Sequence, residues 1–173
     1  MALKLPLVSH RLFKLMNKST GFTLIELLVA VLVLSVGLLG LAGLQVTGLK
    51  NNQNAYYRSQ ATQLAYDMAD RMRANVIGAS TYTSNSASTA ITQPTCITTT
   101  GCTPQNMALN DLFEWNSNLL TAGLPMVVGT ITVVTTTTTP NVSIYTITIK
   151  WDDNRDFIID NNDPSFSTSF QLQ

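Results

Sequence analysis

Three groups of residues in this 173-residue chain have the type and spacing to do chemistry. The first is Glu26 alone, the one charged residue in the 26-residue apolar run from Gly21 to Val46. A carboxylate in such a run costs roughly 2.5–3.5 kcal/mol on membrane-insertion scales, so it is expected to have a function and a partner. The second is Cys96 and Cys102, which close the short ring CITTTGC. The third is the stretch DDNRDFIIDNND, in which Asp152, Asn154, Asp156, Asp160 and Asp163 fall at offsets 1, 3, 5, 9 and 12. Those are the side-chain ligand offsets of an EF-hand calcium loop. Phe157 stands where the turn glycine belongs, Asp163 replaces the longer bidentate glutamate, and no helix is expected on either side. The stretch therefore reads first as an acidic, Asn-rich connection between strands, with calcium as the lesser reading. No other metal or cofactor is expected.

Other chemistries lack material. The only histidine is His10, and the cysteines number two, too few for His-based triads or Cys/His zinc sites. Charged residues make up 12% of the chain, with ten basic and ten acidic residues. A nucleic-acid binder needs an excess of Lys and Arg to neutralise phosphates, so nucleic acid is not an expected partner. The neutral total hides a split. Residues 1–21 hold Lys4, Arg11, Lys14 and Lys18 and no acid, a net +4, while the rest carries six bases and all ten acids, a net −4.

The apolar run is long enough to cross a bilayer, whose core of about 30 Å takes about 20 helical residues. The basic residues precede it, so the positive-inside rule puts the N-terminus in the cytoplasm and the chain after residue 46 outside. A cleaved secretory signal would have a shorter apolar region and no internal Glu, although Gly40-Leu41-Ala42 offers a small-x-small site. Gly37, Gly40 and Gly43 recur every three residues, which either permits close helix packing or marks a segment that can loosen.

Gly21-Phe22-Thr23-Leu24-Ile25-Glu26 after a short basic leader resembles the class III signal of type IV pilins and pseudopilins. The resemblance implies that prepilin peptidase cuts between Gly21 and Phe22, that Phe22 becomes N-methylated, and that Glu26 becomes the fifth residue of the mature chain. Such a cut leaves the apolar run intact and creates a charged amine near Glu26. A paired carboxylate is far less costly in an apolar setting than a lone one, so Glu26 is expected to set subunit register during assembly.

Beyond Lys50 the chain turns polar but keeps helical periodicity. Tyr57, Ala61, Leu64, Met68 and Met72 form one apolar stripe with Ala65 and Ala69 beside it, and Asp67 and Arg71 make an i,i+4 pair on another side. One helix is predicted from about Phe22 to Val76, roughly 80 Å long, with Gly78 as its C-cap. Its first half is expected in membrane or filament, its second half against a globular head. The Gly37–Asn75 segment is similar to the PilV group of minor pilins, as are the Cys pair, a short helix ending in Trp and then Leu-Pro, and a strand ending in Trp-Asp-Asp.

In the head, Ala79–Thr100 reads as an exposed Ser/Thr/Ala-rich loop. Facing an oxidising periplasm, Cys96 and Cys102 are expected to form a disulfide; the spacing is not C-x-x-C, which speaks against a redox pair. A short helix is predicted over Met107–Leu120, with Leu109, Leu112, Phe113, Asn116 and Leu120 on one side. Strands are predicted over Met126–Thr135, Ser143–Trp151 and Ser165–Leu172, with Pro140-Asn141 punctuating the first pair. The expected fold is α+β: a long N-terminal helix, its first half transmembrane, packed on a small antiparallel sheet. The expected parts are a leader (1–21), the long helix (22–78) and a periplasmic head (79–173).

The resemblance implies a minor pilin, inserted once in the inner membrane and then built into the pilus, supporting assembly priming, twitching motility and adhesion. Implied partners are prepilin peptidase, the other minor pilins, the major pilin and the inner-membrane assembly platform. The alternatives are a minor pseudopilin of type II secretion and a membrane-anchored periplasmic binding module. No nucleophile–base pair points to an enzyme.

Overall fold

A computed structural model of the chain describes residues 21–84, 86–137 and 142–172. The basic residues of the leader, His10 and the Pro140-Asn141 turn signal lie outside the described residues. The first helix, α1, runs over Leu24–Ala74, 51 residues. The chain divides into two compact units, residues 1–47 and 48–173, and α1 contributes to both.

In the first unit the described residues are the start of α1. Thr23 opens it: its hydroxyl accepts from the Glu26 N–H at 3.3 Å, and its carbonyl accepts from the Leu27 N–H at 3.2 Å. Glu26 lies in the first turn, where a carboxylate complements the positive end of the helix dipole. The helix continues unbroken through Gly37, Gly40 and Gly43. The Ser35 and Thr47 hydroxyls donate to carbonyls one turn back, at 2.7 and 3.0 Å, so these polar groups are satisfied inside the helix. Every residue from 24 to 47 is exposed.

In the second unit the apolar stripe lands where its periodicity puts it. Tyr57, Ala61, Ala65, Met68, Ala69 and Met72 are buried, and Leu64 packs at their margin. Ending of the helix differs from expectation. It stops at Ala74, and Asn75 leaves the helical region with φ −129° and ψ 58°. A 3-10 turn over Val76–Gly78 follows, and Gly78 is not a left-handed C-cap. Glycine is needed there for space: a Cβ would fall 2.6 Å from the Pro104 carbonyl oxygen.

Ala79–Thr100 is not a plain loop. It holds α2 (Ala79–Ser84) and 3-10 turns at Ala87–Thr89 and Pro94–Ile97. Ala79, Tyr82 and Ala87 are buried, so two small residues and one aromatic suffice to fasten this polar stretch to the core. Next comes α3 (Pro104–Thr121), opened by the Thr103 hydroxyl, which accepts from the Asn106 N–H at 3.2 Å, and by Pro104 in the first turn. Its buried face is Ala108, Leu112, Trp115 and Leu119, about one residue round from the predicted side. Leu120 is 66% exposed. Trp115 decides the rotation: its indole is the largest apolar group on the helix and is fully buried.

The sheet is an antiparallel meander in the order β1 (Val128–Thr135), β2 (Ser143–Lys150), β3 (Ser165–Gln171). Its inner face carries Ile131, Tyr145, Ile147, Ile149, Phe166 and Phe170, as the period-2 pattern requires. Its outer face is a hydroxyl grid: Thr130 pairs Thr148 and Thr148 pairs Ser167, while Thr132 pairs Thr146 and Thr146 pairs Ser169. The α+β architecture expected from the sequence is the one observed, with the α1 stripe, α3 and the inner face of the sheet sharing one core.

Gly129 sits where β1 passes under α3. A Cβ there would lie 2.7 Å from Leu119 Cδ1 and closer still to the Trp115 ring. Gly129→Ala is expected to destabilise the fold by about 2 kcal/mol through overpacking. Urea unfolding of the detergent-solubilised chain, followed by Trp fluorescence, checks this.

Candidate functional site

Four arrangements bear on function. The first is the start of the apolar helix. Gly21 and Phe22 lie just before α1, and both are exposed, Phe22 at 86%. Among the described residues, no neighbour beyond the adjoining one comes within 4 Å of a Cβ built on Gly21. Glu26 lies one turn into the helix beyond them.

The second is the Cys96–Cys102 disulfide, which is formed, with Cα atoms 4.8 Å apart. Its ring includes Gly101 at φ +67°, a left-handed position that glycine takes without strain. Such a short ring fixes the loop ahead of α3 more than it stabilises the whole fold.

The third is the acidic connection between β2 and β3. Asp152, buried at its root, accepts from the Arg155 N–H at 2.6 Å and the Phe157 N–H at 2.9 Å. Asn154 accepts from the Asp156 N–H at 2.8 Å, and Asp156 accepts from the Ile158 N–H at 2.8 Å. Asp163 accepts from the Asp160 N–H at 2.8 Å, and Asp160 accepts from the Asn162 N–H at 2.7 Å. The five side chains are each committed to local backbone donors. Among the described residues, no three His, Cys, Asp or Glu side chains come together as a metal-ligand set. Phe157 itself, at the glycine position of the calcium-loop pattern, takes a left-handed φ of 65°.

The fourth was only half legible in the sequence. The Asp67–Arg71 pair of α1 is one edge of a larger polar knot. Arg71 donates to Asp67 at 3.1 Å, to Asp111 at 3.1 Å and to Glu114 at 2.8 Å. The Tyr82 hydroxyl donates to the other oxygen of Asp111. Asn75 donates to the Pro104 carbonyl at 2.7 Å and to Tyr82 at 3.3 Å. Asn110 donates to Glu114 at 2.8 Å and accepts from the Gln93 N–H at 3.0 Å. Burial alone would lower the Arg71 pKa, but the hydrogen bond to Glu114 and the carboxylates of Asp67 and Asp111 outweigh it and hold the guanidinium above its usual range. Burial, and then the bond to Asp111, push the Tyr82 phenol above its usual range. Nothing in local spacing could pair Arg71 with Asp111, which is 40 residues away; an acid-rich face on α3 was the available signal.

Two predictions follow from the knot. Arg71→Met leaves Asp111 and Glu114 without their cation and is expected to cost about 2 kcal/mol, less than for a fully buried pair because Arg71 is partly solvated. Denaturant unfolding measures it. For Tyr82 the folded chain keeps its proton to higher pH than the unfolded chain. That contribution is complete below the unfolded phenol pKa of about 10 and is lost as pH rises beyond it. Tyr82→Phe should therefore be less stable at neutral pH yet show a flatter fall in melting temperature from about pH 9 to about pH 11.

Comparison with known proteins places these arrangements. Residues 16–42 match the family model of the prokaryotic N-terminal methylation motif. Residues 43–113 match that of the type IV pilin Tt1218. No curated protein and no solved structure matches significantly. The first match contains Gly21, Phe22 and Glu26, and the second contains the packed half of α1, the disulfide and the first turns of α3 as far as Phe113. Together these two adjoining matches support membership of the type IV pilin family.

Proposed function

We propose that this chain is a minor pilin of the PilV kind, made as a prepilin, held in the inner membrane by the first half of α1, and then built into a type IV pilus. The observation that carries this reading is the direct succession of a methylation motif and a pilin segment, whose junction lies inside the unbroken helix α1. The PilV assignment rests on the similarity of Gly37–Asn75 to that group.

Each step has a chemical rationale. Prepilin peptidase cuts the bond between Gly21 and Phe22 and frees an amine, which is then methylated. The amine lies close in sequence to Glu26, so charge pairing, within the subunit or with a neighbour, offsets the cost of carrying a carboxylate through an apolar layer. Leu24–Val46 serves as anchor first and as filament core later. The head then stands on the periplasmic side, where its disulfide is stable. In this reading the protein acts by assembling, with other minor pilins, the major pilin and the inner-membrane platform as partners, and it supports pilus priming, twitching and adhesion. A type II secretion pseudopilin shares the signal and the helix, but the type IV pilin match over residues 43–113 favours the pilus.

N-terminal sequencing and intact mass of the mature protein test the reading. The expected N-terminus is N-methyl-Phe22. A start at Gly43, the product of an ordinary signal peptidase acting after Ala42, overturns it. Glu26→Ala is expected to be processed normally yet be at least tenfold depleted from sheared pili relative to the membrane fraction, which quantitative immunoblotting reads out.

A further inference from the structure

The six basic residues after the leader are Lys50, Arg58, Arg71, Arg73, Lys150 and Arg155. Arg71 and Arg73 are held by carboxylates, and Lys150 donates to the Asp160 carbonyl at 3.3 Å. Among the described residues, the side chains of Lys50, Arg58 and Arg155 make neither an ion pair nor a hydrogen bond. All three are exposed, and they converge. Lys50 and Arg155 line a cleft of about 330 Å³ with Asn54 and Asp153. Arg58 lines an adjoining cleft of about 200 Å³ that shares Asn54 and Asp153. Asp153 forms no ion pair with any of them.

From this we infer that the paired clefts bind a phospholipid headgroup of the phosphoethanolamine type while the chain is anchored in the membrane. The inference rests on the membrane-anchored reading above. Three cations around one carboxylate complement a group that carries an anionic phosphate and a cationic amine together. Guanidinium groups clasp phosphate oxygens through paired N–H donors, and the Lys50 ammonium adds a point charge. Asp153 takes the headgroup amine, and Asn54, which lines both clefts, offers its amide to either group. Position selects the source of the phosphate. Lys50 is four residues beyond Val46, the end of the apolar run, and four residues of chain reach no more than about 14 Å even fully extended. Lys50 is therefore within reach of the headgroup layer, and the cleft it lines also holds Tyr57, the aromatic type that favours such interfaces. Its cations stand in a mature chain that is otherwise acidic, so a general attraction to anions does not explain them.

The test uses the full chain, extracted in mild detergent with an equimolar mixture of phosphatidylethanolamine and phosphatidylcholine, with retained lipid counted by native mass spectrometry. The wild type is expected to keep one phosphatidylethanolamine in preference to phosphatidylcholine. Neutralising Lys50, Arg58 and Arg155 together, each to Gln, should weaken retention about a hundredfold, at roughly fivefold per charge. Asp153→Asn should keep lipid but lose the preference for the amine. Lys150→Gln is the control and should behave as wild type. Unchanged lipid retention in the triple variant overturns the inference. So does equal displacement of the lipid by millimolar inorganic phosphate, which would mark a free-phosphate site. Carbodiimide cross-linking of Lys50 in native membranes to a carboxylate of another protein, at the expense of bound lipid, would assign the cleft to an acidic partner instead. Carbonate extraction separates the two levels of the argument. Release of the wild-type chain defeats the anchored reading itself, whereas an integral chain with indifferent lipid retention defeats the headgroup site alone.

Discussion

The head cannot close its core without the second half of α1. Three strands and one 18-residue helix present an inner layer of Ile147, Ile149, Trp151, Trp115, Leu112 and Leu119, and the other wall of that layer is the α1 stripe. Small domains bury too little surface to be stable on their own, so a wall lent by the long helix matters. The composition of the stripe fits the task. Ala61, Ala65 and Ala69 let the packed elements approach the helix closely, and Met68 and Met72 fill the uneven space that remains. Trp115 shows how close the approach is, because its indole N–H donates to the Leu64 carbonyl of α1 at 2.9 Å.

Polar bonds set the register of that packing where apolar contact alone would let helices slide. Arg71 reaches from α1 to two acids on α3, and Tyr82 on α2 completes Asp111. Asn75 ends α1 and in the same step binds the start of α3 through the Pro104 carbonyl. Because buried donors and acceptors are costly when unpaired, this set of partners disfavours any shifted arrangement. Beyond β2, Asp152 does the same for the connection to β3. It holds two backbone N–H groups and, through them, the left-handed residues Arg155 and Phe157.

What could be read from the sequence divides along physical lines. Features that depend on spacing along one element were legible: the long helix, its stripe, three strands and the disulfide ring. Features that depend on which elements meet were not. The face of α3 was misjudged by about one residue because Leu109, Phe113 and Leu120 score as apolar, whereas burial of Trp115 against α1 decides the rotation. The stretch Ala79–Thr100 looked like loop because its Ser and Thr dominate, yet Tyr82, bonded to Asp111 and Asn75, brings its start inside. Gly78 looked like a helix stop and is instead a point of close approach. At the N-terminal site the reverse holds. Gly21, Phe22 and Glu26 fall within the match to the N-terminal methylation motif, and a motif of that kind is carried by local sequence.

The charges follow a related division of labour. Arg71 and Arg73 are consumed by the fold, one in the polar knot and one between Asp70 and the Phe170 ring, 4.9 Å from its centroid. Most acids of the β2–β3 connection are consumed by backbone N–H groups of that same loop. A side chain committed to the fold cannot serve a ligand without loosening the fold. What remains for recognition is therefore the set of groups that folding leaves over. In this chain that set is small, it is rich in cations although the head is acidic, and the Asp152-rooted loop brings Arg155 and Asp153 to the same clefts as Lys50, Asn54 and Arg58 of α1. The acidic connection between β2 and β3 acts here through its geometry: its carboxylates hold the turn, and the turn presents a cation.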